Sequence, residues 1–497
     1  MSLLSVSIAP GTVEYERLAL VKPTGFREYD ARWLFGPELN LNGIRKVGRA
    51  FGTLVHERGG RPEVVTGHDF RAYSGAVKQA LIVGLMDAGL TVHDIGLALS
   101  PMAYFAQFAL DVPAVAMVTA SHNENGWTGF KLGLSPPVTL GPEEMAALKD
   151  ITLNGKAKSR GGGRLVEVTD MSERFMADVA RGPKLARPIK VVCACGNGTA
   201  GAFAPEVLSR IGCEVVPLDC TPDHSFPRYN PNPEDVKMLA AMSEEVRHSG
   251  ADLALGFDGD GDRCGVVDNE GNAVFADKVG VLIARDIVSS RPGASFVVDV
   301  KSTSLFEIDP VLSAAGAKVE YWKTGHSYMK RRVHETGAAA GFEKSGHYFF
   351  GPPIGRGYDD GLVSGVAICR MLDRAGKPMA DLVRSLPRTW STPTMSPHCA
   401  DEAKYGIVER VTEIYEFRQC RREPVAGQTI ASLSTVNGVR ITLEDGTWGL
   451  VRASSNKPEL VIVCESPASE EMMRAMFQDI DTTLSRFPEI GAYNQKI

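Results

Sequence analysis

The segment LALGFDGDGDR, Leu253 to Arg263, sets three carboxylates, Asp258, Asp260 and Asp262, at alternate positions directly after an apolar run. Carboxylates held two residues apart in a tight loop repel one another unless a cation sits among them. The interleaved glycines let the backbone fold tightly enough to aim all three inward. An EF-hand is excluded, because its sixth position, a glycine, is Arg263 here and its twelfth, a glutamate, is Asn269. A solvated acidic turn has no need of three aligned aspartates. A hard cation such as magnesium, which takes few protein oxygens and completes its shell with phosphate, suits the loop.

A second segment, VTASHNENGWTGFKLG (Val118 to Gly133), ends an apolar run in Thr-Ala-Ser-His-Asn. Ser121 therefore falls at a strand end, where reactive loops commonly lie. The surroundings are not the GxSxG of a hydrolase elbow. His122, next in the chain, is poorly placed to point back and activate the serine, so a catalytic triad is disfavoured. Lys131 reads either as a surface lysine or, near a phosphate, as an acid/base or charge clamp. In GFEKSGHYFFG, Gly341 to Gly351, donors and acceptors crowd one turn, as sugar hydroxyls require and as a plain exposed loop would also show. In GLVRASSNKPEL, Gly449 to Leu460, Arg452 ends a strand ahead of Ser454, Ser455 and Asn456. Arginine grips phosphate bidentately; a hairpin turn is the plainer alternative. A rival chemistry is written in Gly196-Asn-Gly198-Thr-Ala-Gly201, a GxGxxG between strand and helix with Glu214 and Asp219 about twenty residues on. That pattern fits a nicotinamide-dependent oxidoreductase, although a tight turn packing helix on strand has the same signature.

The elements that must carry these loops repeat three times. Pro62–Gly96, Ile189–Asp219 and Ser295–Gly325 each read as a β-branched run, a polar turn, a helix and a second apolar run. The helices end at Gly89, Gly212 and Gly316, where a left-handed C-cap is wanted. This predicts three related α/β domains. Breaks are expected near the glycine-rich Gly155–Gly163, soon after Phe257–Asp268, and at Leu386–Pro397, where three prolines interrupt the pattern. Beyond, strands such as VRITLE and ELVIVCES precede one long helix, with Ser466-Pro467 read as its start. The expected domains are 1–165, 166–273, 274–388 and an α+β domain 389–497. The Leu386–Pro397 stretch is read as a hinge on which the fourth domain closes.

At 497 residues, with 54 Lys+Arg against 60 Asp+Glu, the chain offers no electrostatic reason for a nucleic-acid or membrane partner. No protein partner is evident either. The nine cysteines include no CxxC; Cys193 and Cys195 form a CxC in an apolar run and read as buried strand residues rather than metal ligands. These features, and a start without a cationic, apolar signal, predict a cytoplasmic protein.

Taken in order, TASHNENGWTGFK, DGDGDR, FEKSGHYFF and RASSNKP resemble the phosphoserine, metal, sugar and phosphate loops of the α-D-phosphohexomutase family, over essentially the whole chain. The resemblance implies four domains, three related α/β units with mixed sheets and a smaller α+β domain, around a central cleft. It implies magnesium and a hexose 1,6-bisphosphate intermediate, with sugar phosphates as the small-molecule partners. By position it implies Ser121 as the phosphorylated serine and a metal ligand beside Asp258, Asp260 and Asp262. It further implies catalytic roles for Lys131, Arg32, Arg263 and His347. Tyr29 in FREYDAR, Lys301 in VDVKSTS and His326 in KTGHS match substrate-side positions. Glu343, Ser345 and His347 match the sugar loop, and Arg452, Ser454, Ser455 and Asn456 the loop that holds the non-reacting phosphate. Departures are Trp33 after Arg32, His68 in place of an arginine, Phe342 before Glu343, and Ser-Ser-Asn in the last loop. The detailed motifs resemble the phosphomannomutase/phosphoglucomutase branch, with phosphoglucosamine mutase the nearest alternative. Mannose and glucose are not distinguished, since they share the hydroxyls that the Glu-Ser pair would contact.

Overall fold

The computed structural model describes residues 10–495. By contact density the chain forms two compact units, one of residues up to Val274 together with Ser345–Ala380, the other of Phe275–Lys344 together with the remainder from Asp381.

The first unit holds two sheets. Six strands lie in the order Ala31–Leu34, Trp127–Gly133, Ala114–Val118, Glu63–His68, Thr91–Leu97, Arg164–Glu167. The central strands pair parallel and Trp127–Gly133 pairs antiparallel to both its neighbours, so the sheet is mixed. Helices Leu41–Glu57 and Ser74–Asp87 press Val47, Phe51, Leu81 and Leu85 into a core that includes Trp33 and Phe130. Trp33 is fully buried, its ring edge-on to Phe26 and its Nε1 donating to the Lys22 carbonyl at 2.8 Å. Burying such a side chain contributes about 5 kcal/mol, which explains a large aromatic at this point. The second sheet runs Ala273–Val274, Cys264–Asp268, Leu253–Phe257, Lys190–Ala194, Glu214–Leu218, with the last three strands parallel.

The second unit holds the parallel strands Lys318–Trp322, Ser295–Asp299 and Ala340–Phe342, and a five-stranded antiparallel sheet. That sheet runs Trp390–Ser391, Leu460–Ser466, Trp448–Ala453, Val439–Leu443, Ile430–Ser434, and is packed by helices Asp401–Arg421 and Glu470–Leu484. The architecture is thus three α/β domains followed by one with an antiparallel sheet. Gly89, Gly212 and Gly316 all adopt positive φ at the ends of their helices, as their positions predicted.

Three features of the fold were not foreseen from the sequence, and one expected helix start is corrected. The glycine-rich Gly155–Gly163 does not end the first sheet, because Arg164–Glu167 returns to pair with Thr91–Asp94 and carries it past residue 165. Ser345–Ala380 falls in the first compact unit: Gly361 N donates to Gly261 O at 3.0 Å, so helix Gly361–Ala375 starts on the aspartate loop. The last helix begins at Glu470 with Ser469 as N-cap, while Ser466 ends a strand and its Oγ takes the amides of Ala468 and Ser469. The 21-residue helix Asp401–Arg421 had not been anticipated.

The linker Leu386–Pro397 is also no free hinge. Trp390–Ser391 and Met395 pair with the strand Leu460–Ser466. Buried Glu465 accepts from Thr389, Thr303, Ser304 and Trp448, and Arg440 donates to the carbonyls of Val300 and Ser302 while stacking on Trp448. Swinging the antiparallel domain away from Ser295–Asp299 and its following loop would strand a buried carboxylate and a buried guanidinium.

Candidate active site

Functional side chains of the first unit sit just past the carboxyl ends of strands, where a parallel sheet leaves room for ligands. Ala114–Val118 delivers Ser121, Glu63–His68 delivers Asp69 and Arg71, and Leu253–Phe257 delivers the three aspartates.

Ser121 is 4% exposed and adopts φ +50°, a left-handed conformation that costs a non-glycine residue of order 1–2 kcal/mol. Its surroundings hold it there. Its amide donates to Thr119 Oγ1 at 2.8 Å, and the Arg71 guanidinium donates to the carbonyls of Ser121, Asn123 and Glu124 at 2.9, 2.6 and 3.0 Å. Asp69 fixes Arg71 in turn and accepts from the Ala120 amide. Gly259, from the aspartate loop, packs so closely that a Cβ there would stand 2.5 Å from the Ser121 carbonyl oxygen. The spacing of DGDGDR therefore serves an approach to Ser121 as well as its own turn.

The Ser121 hydroxyl donates to Asp258 Oδ2 at 3.0 Å. Asp258, Asp260 and Asp262 are all fully buried, and one oxygen from each falls within 4.8 Å of the others. Lys131 Nζ lies 2.7 Å from Asp260 Oδ2 and also bonds Asp262 Oδ2. Ser100, at the start of helix Ser100–Leu110, donates to Asp260 at 2.5 Å. Asp260 Oδ1 and Asp262 Oδ1 are buried with no hydrogen-bond partner. Burial and repulsion from Asp262 and Asp260 push the Asp258 carboxyl well above the usual carboxylate range. Burial would raise Asp260 as well, but Lys131 overrides it and holds that carboxyl low. Lys131 resists its own burial through the same two aspartates and stays a firm ammonium. Oxygen-only donors with two open lone-pair positions fit a hard divalent cation.

Arg263 Nε donates to His347 Nε2 at 2.9 Å, and His347 Nδ1 lies 2.9 Å from Asp359 and 3.7 Å from Asp262. Burial opposes protonation of His347, yet Asp262 and Asp359 raise its pKa overall. His347 thus stands at the aspartate loop. Ser345 precedes it, and Gly346 O accepts from the Cys264 amide, tying this stretch to the strand after Arg263. Arg32 is buried and donates to Thr119 O at 2.5 Å and to Asp30, on the approach to Ser121; Tyr29 is buried nearby in sequence. His122 does turn back: its Nδ1 comes within 3.4 Å of Ser121 Oγ, longer than the bond to Asp258.

The second unit collects Lys301, His326 and Glu343. Glu343 Oε1 accepts from the Gly325 amide at 2.9 Å, immediately before His326 opens its helix. Asp299 organises the floor, taking Ser302 Oγ, Thr324 Oγ1 and the Lys344 amide, with Lys301 Nζ at 3.7 Å. Arg452 closes the strand Trp448–Ala453; its Nη2 donates to Ser455 at 3.3 Å and its buried Nε has no partner. Lys404 Nζ grips the carbonyls of Ser454 and Lys457 from behind, and Asn456 lies between them in the chain.

The GxGxxG turn serves packing. Cβ atoms at Gly196, Gly198 and Gly201 would meet Pro231, Gly259 and the Cys220 carbonyl at 2.8, 3.3 and 2.0 Å, so protein backbone fills the space a pyrophosphate needs. Thr199 Oγ1 accepts from the Phe70 amide at 2.8 Å, which joins this turn to the Asp69–Arg71 loop.

Sequence reasoning missed Arg71, Ser100 and Asp359. GHDFR, directly after a strand, was a signal for Arg71; nothing local marked the other two.

Family models described as phosphoglucomutase/phosphomannomutase α/β/α domains I, II and III match residues 23–159, 173–271 and 275–390. A phosphomannomutase/phosphoglucomutase of Pseudomonas putida is 35% identical over 449 residues, 90% of this chain and 93% of its own. A phosphoglucomutase of Neisseria meningitidis serogroup A is 31% identical over 454 residues, 91% and 95% of the two chains. The crystal structure of a phosphoglucomutase/phosphomannomutase family protein from Burkholderia thailandensis superposes with TM-score 0.84 at 30% identity, covering 94% of this chain and 98% of that one. Among the described residues no helix is long and apolar enough to cross a membrane.

Proposed function

Because the chain belongs to the phosphoglucomutase/phosphomannomutase family, we propose that it interconverts hexose 1-phosphate and hexose 6-phosphate, of glucose, mannose or both, through a phosphoserine at Ser121. The observation that supports this most is Ser121 Oγ, held in a left-handed turn 3.0 Å from Asp258 beside two buried carboxylate oxygens without partners.

Asp258, Asp260 and Asp262, with Ser121, would hold magnesium. When bound, the ion would supply charge that the developing phosphoryl group needs. The chain's own residues do the rest. Arg71 and Asp69 fix the serine backbone, so Oγ is aimed before substrate arrives. Arg32, in the strand Ala31–Leu34, donates to Thr119 O just ahead of Ser121, as a cation for the reacting phosphate. Lys131 keeps its proton at Nζ beside Asp260 and Asp262, where it serves as acid toward the oxygen that gives up the phosphoryl group. His347, oriented by Arg263 and Asp359, adds a second proton-bearing group. Phosphate passes from Ser121 to the free hydroxyl of a hexose monophosphate; the resulting 1,6-bisphosphate returns its other phosphate to the serine. We assign Lys301, His326, Glu343 and Ser345 to the sugar, with Tyr29 on the substrate side. The non-reacting phosphate falls to Arg452, whose Nε has an open donor, and to Ser454, Ser455 and Asn456.

A coupled assay with magnesium and a trace of hexose 1,6-bisphosphate tests the reading. Turnover of glucose 1-phosphate or mannose 1-phosphate, with label from the bisphosphate retained on the protein and lost in Ser121→Ala, is expected. Turnover of glucosamine phosphates alone would move the enzyme to the sister activity, and no mutase activity would overturn the proposal.

A further inference from the structure

The second sheet carries a group of thiols apart from the acidic site. Cys193 lies in the strand Lys190–Ala194 and Cys195 follows it, two residues on and therefore on the same side. That strand pairs in parallel register with Glu214–Leu218, Ala194 opposite Leu218, which carries Cys220 to the same end of the sheet. Sγ of Cys195 is 3.8 Å from Sγ of Cys193 and 3.6 Å from Sγ of Cys220, and all three sulfurs fall within 4.8 Å of one another. Cys220 Sγ also reaches the Cys193 carbonyl oxygen at 3.1 Å. Cys193 and Cys195 are fully buried, whereas Cys220 is partly exposed.

Buried cysteines commonly act as small hydrophobes, each packed among aliphatic neighbours. Here three sulfurs converge on one point at a strand end. A zinc–thiolate bond of about 2.3 Å in tetrahedral geometry separates ligand sulfurs by roughly 3.8 Å, the spacing seen.

We propose that Cys193, Cys195 and Cys220 form a three-thiolate site for one thiophilic divalent cation of the zinc class, with water in the fourth position. Loading forms three metal–sulfur bonds and releases three protons, with no change of oxidation state. The site differs in kind from the oxygen-only aspartate cluster, so magnesium does not compete for it. Its place is structural. Cys195 O accepts from the Gly198 amide within the turn that abuts Gly259, so a bound ion ties together two strand ends behind the aspartate loop.

Cobalt(II), added to the reduced full-length protein in excess magnesium, reports on the site. One equivalent is expected to give thiolate-to-cobalt charge-transfer absorption and the visible bands of a tetrahedral ion, both bleached by one equivalent of zinc. Cys220→Ser, at a partly exposed position, and Cys195→Ala are each expected to weaken binding at least about tenfold while circular dichroism and magnesium-dependent turnover persist. Absence of thiolate bands in the parent protein overturns the proposal, as do bands that survive both substitutions. A Cys195–Cys220 disulfide in air-exposed protein, without cobalt bands in the reduced form, would also overturn it and identify a redox pair instead.

Discussion

The loop around Ser121 and the loop from Arg452 to Asn456 both follow strands and both carry polar groups, yet they are built differently. The first is fixed from every side. Its serine is strained, its carbonyls are taken by Arg71, and Gly259 presses against it. The second is a hairpin connection between Trp448–Ala453 and Leu460–Ser466, anchored from behind by Lys404, with the Arg452 Nε uncommitted. Under the proposed function, the contrast is one between bond-making and holding. Transferring a phosphoryl group needs the nucleophile placed to a fraction of an ångström before substrate comes. Holding a phosphate needs donors left open.

Ser121→Ala attacks the first loop at its centre and is expected to lower kcat by at least about 10⁴-fold, with no phosphoprotein formed, read by label retention after gel filtration. Asp260→Asn removes a charge beside Lys131 from a carboxylate that carries an open buried oxygen. It should lower kcat by roughly 10²–10³-fold and raise the magnesium concentration needed for half-activity. An unchanged rate at limiting magnesium would show that the aspartate loop holds no working ion. Gly259→Ala adds one methyl group 2.5 Å from the Ser121 carbonyl. Its cost of about 1–3 kcal/mol in overpacking should appear mainly as kcat, down about 10²-fold, with KM little changed.

The second loop should respond in the opposite sense. Arg452→Ala is expected to raise KM for hexose phosphate about 10- to 100-fold while Ser121 still accepts phosphate from the bisphosphate, since a charge-assisted contact is lost without touching the nucleophile. A fall in kcat with KM constant would dissolve the distinction between the two loops.

The smallest effect concerns stability. Asp360 caps helix Gly361–Ala375, and burial, opposed by the amides of Val363 and Leu362, pushes its carboxyl up to about 7. A folded-state value above the unfolded one favours folding while the group is protonated. That contribution is lost as pH rises through about 7. Asp360→Asn keeps the cap and removes the titration. It should raise stability by on the order of 1–2 kcal/mol above pH 7 and leave it nearly unchanged near pH 4, measured by denaturant melts.

Much of this protein was decided locally. A β-branched run, a polar turn and an amphipathic stretch ending at glycine produce a strand–helix–strand unit wherever they occur, so three such units were legible before any folding. Asp258, Asp260 and Asp262 were legible too, because their mutual repulsion and their glycines lie within five residues. What the sequence could not state was which loops meet. The hold of Arg71 on Ser121 spans 50 residues, that of Ser100 on Asp260 spans 160, and that of Lys131 on Asp262 spans 131. The sulfur of Cys220 joins Cys193 and Cys195 only because two parallel strands run in register. The GxGxxG turn is indistinguishable from a nucleotide site until Pro231 and the Cys220 carbonyl occupy the space beside it. Spacing along a chain records periodicity and local repulsion. Convergence of residues far apart in sequence is set by strand order and close packing, which only the folded chain supplies.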